Sequence, residues 1–111
     1  MKRLLASVAL AASLALPAHA EFIDGNDLYG DCSEDSAGFR SGACYGFVSA
    51  TADMFTDQCL RSNVKLKQVV DVVTIYLRDN PQGRDLPATW LAAYAIRASF
   101  CPKTLDAGTK Q

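Results

Sequence analysis

Apolar residues recur at steps of three and four along most of the chain, the spacing that gathers them on one face of a helix. The clearest run is Leu66, Val69, Val70, Val73, Tyr76 and Leu77. Its valines would also suit a strand. The period is 3.6 rather than 2, however, and Asp71 interrupts the run, so a helix is predicted from about Lys65 to Asp79. Pro81 and Gly83 stop it. Upstream, Cys44, Phe47, Val48, Thr51 and Phe55 form a second stripe, predicting a helix capped by Ser41 and running to about Asp57. Asn26 to about Ser33 reads as a short first helix, with Asp24 or Asn26 as its cap. The polar stretch from Glu34 to Ser41 is a loop, and Gln58 to Val64 is a connection. After the loop Asn80 to Asp85, Asp85 is the expected cap of a fourth helix. Pro87 falls in its first turn, where a missing N–H costs nothing. This helix ends near Cys101, before Pro102. The fold class is therefore all-α, a small four-helix bundle.

The first 20 residues follow a different pattern. Lys2 and Arg3 precede an apolar run from Leu4 to Leu16, and Ala18-His19-Ala20 is a small-x-small site. This is the pattern of an export signal cleaved after Ala20, and the run is too short to span a bilayer. The residue directly after Ala20 is Glu21 and not a cysteine, which argues against a lipid anchor. Three segments are expected: a signal peptide over 1–20, one helical domain over 21–102, and a polar tail over 103–111. Export is expected, with no membrane association after cleavage.

Removing the signal changes the composition. Two basic residues and His19 leave with it, so residues 21–111 carry 9 Lys and Arg against 12 Asp and Glu, a net charge of −3, and no histidine. Without imidazole, Ser-His-Asp and Cys-His catalysis and His-containing zinc sites are excluded. An acidic chain without a basic run argues against nucleic acid and anionic lipid as partners. No phosphate loop, metal cluster or carboxylate pair at acid–base spacing is present, so neither enzymatic activity nor a cofactor is expected.

Cys32, Cys44, Cys59 and Cys101 all survive cleavage. An even count in a small exported chain reads as two disulfides. The gaps contain no C-x-x-C, which disfavours zinc. Three pairings exist. Cys44 and Cys59 lie at opposite ends of the second predicted helix, about 22 Å apart at about 1.5 Å per residue. A disulfide needs a Cα separation of roughly 4.4–6.8 Å. Alternating helix directions put Cys59 and Cys101 at one end of the bundle, so Cys32–Cys44 and Cys59–Cys101 are expected.

Two helices carry a second surface. On the second, Gly46, Ser49, Ala50 and Asp53 lie away from the apolar stripe. They pack either against a helix of the same chain or against a second copy. On the fourth, Leu91, Ala92 and Ala95 face one way and Trp90 and Tyr94 another, so burial on most sides is expected. Gly46, Ser49, Ala50, Asp53, Trp90 and Tyr94 form the candidate face of a homodimer. Asp53 and Asp71 belong to a solvated face or pair with Arg97 in an interface.

The string Gly42-Ala43-Cys44-Tyr45-Gly46-Phe47-Val48 resembles the G-x-C-x-G-[YF]-[IV] signature of the Rap/Tai-type periplasmic immunity proteins, as does Leu28-Tyr29-x-x-Cys32 before it. Gln68 to Val73, Tyr76-Leu77, Asn80-Pro81-x-x-Arg84, Pro87-Ala88 and Ala98-Ser99-Phe100-Cys101 look like later parts of the same family, so the resemblance covers about residues 26–102. The chain differs in having Lys65 where relatives often have Thr, and in lacking a Pro after Cys59. The resemblance implies a periplasmic, disulfide-bonded helical protein, often a homodimer. Its partner would be a peptidoglycan amidase toxin of type VI secretion, with a papain-like Cys-His cleft that the protein occludes. A cleft blocker needs a rigid protruding element. The loop Asn80 to Asp85, with Asn80, Gln82, Arg84 and Asp85, is the first candidate, against the simpler reading of an ordinary turn. Glu34 and Asp35, tethered by Cys32–Cys44, are the second, their charge suiting a basic rim. The rival classes are an acid-stress chaperone of the HdeA type and a helical binding module for another ligand. With carboxylates and no histidine, a chaperone's switch would act near pH 4.

Overall fold

The computed structural model describes residues 22–33 and 37–101. The predicted signal, Glu34, Asp35 and the polar tail lie outside the described residues. Four helices follow one another: α1 (Gly25–Cys32), α2 (Phe39–Asp53), α3 (Leu66–Asp79) and α4 (Ala88–Phe100), with a short 3₁₀ turn at Pro81–Gly83. Each α-helix packs on the other three. Leu28, Val48, Val73, Leu77 and Ile96 are wholly buried at the centre, flanked by Val69, Val70, Leu91, Ala92 and Ala95. Each large apolar side chain buried there contributes about 1.5–3 kcal/mol. The α3 stripe is the predicted one, although Leu66 is exposed and Tyr76 half-buried at its margins.

Asp24 opens α1 with a reciprocal cap. Its side chain accepts from Asp27 N at 2.9 Å, and Asp27 accepts in return from Asp24 N at 3.1 Å. Asp24→Ala is expected to cost about 1 kcal/mol in urea unfolding. Asp24→Asn should cost much less, and equal losses for both would show that the cap contributes nothing.

Three predicted boundaries are corrected. Ser41 does not cap α2, which starts two residues earlier, at Phe39. Gly38 takes φ 61°, a left-handed conformation that glycine adopts freely, so the chain turns straight into the helix. The first turn is tied back to α1 by an ion pair of 3.1 Å between Arg40 and Asp31. The far end of α2 stops at Asp53 rather than Asp57. There the Phe55 carbonyl accepts from the amides of Gln58, Cys59 and Leu60, and Thr56 Oγ1 donates to Asp53 O. A continued helix would run on along its axis. These turns instead fold the chain back and keep Phe55 in the core.

Asp85 does not cap α4. Pro87 occupies the N-cap, and the segment before α1 runs antiparallel beside it, with Ile23 O accepting from Ala88 N at 3.2 Å. A neighbouring backbone thus takes the role expected of a side chain.

The disulfides are Cys32–Cys44 and Cys59–Cys101, with Cα separations of 5.0 and 4.9 Å, as the helix-length argument predicts. The first joins α1 to α2. The second joins the non-helical connection after α2 to the end of α4. No helix among the described residues is long and apolar enough to cross a membrane.

Candidate functional site

The segment Asn80–Leu86 leaves α3 and enters α4 through the 3₁₀ turn, and it projects two of its four predicted contact residues outward. Gln82 and Asp85 are exposed, whereas Asn80 and Arg84 are half-buried and directed into the fold. The reason lies in α3. A helix leaves its last carbonyls without amide partners. Asn80 Nδ2 donates to Tyr76 O at 2.9 Å, Arg84 Nε to Leu77 O at 2.6 Å, and Arg84 Nη2 to Arg78 O at 3.1 Å. Three consecutive carbonyls at the negative end of the helix are thereby satisfied, two of them by a cation. The string Asn80-Pro81-x-x-Arg84 is therefore a helix stop: Asn80 and Arg84 cap, and Pro81 prevents continuation.

Helix α1 closes the back of this segment. The Arg84 guanidinium lies 3.9 Å from the centre of the Tyr29 ring. Asn26 N donates to Arg84 O and Gly25 N to Leu86 O, both at 3.0 Å. The approach at Gly25 requires glycine: a Cβ there would overlap Leu91 and sit 2.8 Å from Arg84 O and 2.9 Å from Arg84 Cα. Sequence reasoning missed Gly25 and Tyr29, because nothing local ties them to a loop some fifty positions later.

The candidate dimer face divides in two. Gly46, Ala50 and Asp53 are exposed and Ser49 is half-buried; no atom lies within 4 Å of where a Cβ on Gly46 would stand. The reading in which this stripe packs on a helix of the same chain therefore does not hold among the described residues. Ser49 and Asp53 instead edge a hollow of about 380 Å³ beside Leu60, Val64 and Val69. Trp90 and Tyr94 are each 59% exposed, so α4 is buried on one side only, through Leu91, Ala92, Ala95 and Ile96. Tyr94 leans on Tyr76, their ring centres 5.3 Å apart. Asp71 is exposed and pairs with Lys67 at 3.0 Å, and Asp53 is also exposed.

Pro81, Gln82, Asp85 and Leu86 are the exposed residues of Asn80–Leu86, a mixture of apolar, neutral polar and acidic groups, and they stand on a frame held at several backbone and side-chain points. That arrangement suits insertion into a complementary surface without rearrangement. A sequence model of the Rap1a immunity proteins matches residues 24–101, from the cap of α1 to the last cysteine. No curated protein and no solved structure matches the chain.

Proposed function

This chain belongs to the Rap1a immunity protein family, and we propose that it is a periplasmic immunity protein that binds a peptidoglycan amidase toxin of type VI secretion and blocks its active-site cleft. The observation that carries this reading is the exposed, multiply anchored segment Asn80–Leu86. Binding costs ordering entropy at every loop residue that must be fixed, and here that cost is met in folding. Export follows from the signal-like pattern of residues 1–20, and protection of the producer requires the protein to be where the toxin acts. The protein acts by occupancy and not by catalysis.

Gln82 and Asp85 are the contact residues. Asp85 would meet a cationic rim, and Gln82 offers both a donor and an acceptor. A second copy bound through Trp90 and Tyr94 accounts for the exposed rings: aromatic residues dominate buried interface centres, and Arg97 on the same helix face is available to its rim.

The test is whether the gene beside this one encodes an exported amidase, and whether that amidase co-purifies with the chain. A stable complex that abolishes peptidoglycan cleavage is expected, and no complex with that amidase would end this reading. Replacing Gln82 and Asp85 together by alanine should weaken the complex about tenfold or more, without changing the thermal midpoint of the free protein.

A further inference from the structure

The residue that sequence reasoning offers as a toxin contact, Arg84, is committed elsewhere. Two of its N–H groups bond consecutive carbonyls of α3, and the face of its guanidinium lies on Tyr29. Its own carbonyl accepts from Asn26 at the start of α1. We infer that Arg84 is a positioning residue: it holds Asn80–Leu86 in its exposed shape by fastening the segment to the end of α3 and the first turns of α1. The consequence for toxin binding rests on the function proposed above, whereas the hold itself is a property of the free protein.

The chemistry is specific to arginine. Bonding two adjacent carbonyls from separate nitrogens while lying on a ring needs a planar fork. A lysine ammonium supplies the charge and three donors, but all on one atom and with no plane. Tyr29 in turn sits on α1 because Gly25 lets that helix approach the Arg84 backbone without overlap. Residues from two helices thus set the geometry of Gln82 and Asp85 without facing the partner themselves. Loosening this hold leaves the contacting side chains intact but spreads them over many arrangements, which shortens the life of a complex more than it slows encounter.

Amide hydrogen exchange on the full mature chain tests the hold without any partner. In Arg84→Gln, the amides of Asn26, Gly83 and Leu86 should exchange about 10- to 100-fold faster, the scale of losing hydrogen bonds to a charged group. The amides of Val73 and Ile96 in the core should keep their wild-type rates. Arg84→Lys should recover part of the protection. Unchanged loop exchange in Arg84→Gln overturns the inference, and so does equal acceleration in loop and core, which would mean only general stability. Should Arg84→Gln fail to fold, Tyr29→Leu removes the ring and should give the same loop-selective acceleration; none there overturns the inference as well. Against an amidase that co-purifies with the wild-type chain, Arg84→Gln should dissociate about tenfold faster with association changed little. Faster loop exchange with unaltered dissociation overturns the link to binding. If Gln82→Ala with Asp85→Ala is equally without effect on the complex, the proposed loop–toxin contact has failed and not the hold on the loop.

Discussion

Alanine at both Cys59 and Cys101 is expected to lower the stability of this protein by about 4 kcal/mol and its thermal midpoint by roughly 15–30 °C. The bond closes 42 residues, and loop-closure entropy in the unfolded chain grows with loop length. A domain spanning residues 24–101 has a total stability of about 4–12 kcal/mol. Losing this bond therefore removes a large share of the margin and leaves the chain near its folding threshold. The structure gives a second reason. Cys59 ends a series of turns around the Phe55 carbonyl, in the connection between α2 and α3 where no helix holds the backbone. Once the bond is gone, the burial of Phe55 and those turns alone must keep the connection against α4. The pair Cys32–Cys44 closes only 12 residues, worth about 3 kcal/mol, and it joins two helices that also share an Arg40–Asp31 ion pair. Urea unfolding of the two double-alanine variants checks the order. A larger loss on removing Cys32–Cys44 would contradict it.

Two glycines should respond to alanine with opposite signs. Gly25→Ala is expected to destabilise by about 1–3 kcal/mol, because the new methyl overlaps the Leu91 side chain and the Arg84 backbone, and that backbone cannot yield by a rotamer change. The same substitution should also weaken the hold on Asn80–Leu86 by pushing α1 away from it. Gly46→Ala places its methyl in open space on an exposed helix face. It should stabilise by about 0.5–1 kcal/mol, the ordinary gain of replacing glycine within a helix. Thermal unfolding at low and high protein concentration separates the possibilities. A destabilising Gly46→Ala, growing worse with concentration, would mean that a second copy covers this face. A neutral Gly25→Ala would mean that α1 can shift at no cost, and the close approach would lose its significance.

Much of the fold was legible because its determinants are local and periodic. The valine-rich stripe of α3 identified that helix nearly to the residue, since a period of 3.6 cannot serve a strand. The chemistry of helix starts narrowed the cap of α1 to Asp24 or Asn26, and Asp24 holds it. The pairing of cysteines followed from helix length, a purely geometric restriction. The misplaced boundaries share one cause. Ser41 and Asp85 are good caps by type, but Gly38 starts α2 earlier, and the backbone at Ile23 already serves the first turn of α4. Side-chain propensity is a weak force, and a neighbouring strand of backbone or a left-handed turn overrides it.

The candidate site shows the same division. The residues of Asn80-Pro81-x-x-Arg84 attract attention as a string, and the exposed turn falls where that string predicts it. Whether each side chain faces a partner or the fold depends on what lies behind it. Three carbonyls at the end of α3 that lack amide partners within the helix, and an aromatic ring on α1, decide this for Asn80 and Arg84, which turn inward, and leave Gln82 and Asp85 outside. By itself the sequence determined the helical class, the two disulfides and the absence of histidine beyond the signal-like segment, all of which depend on residue type and spacing along the chain. Only the tertiary structure decided which polar groups are already spent on satisfying one another, because hydrogen bonds between α1, α3 and the turn join positions that no local pattern connects.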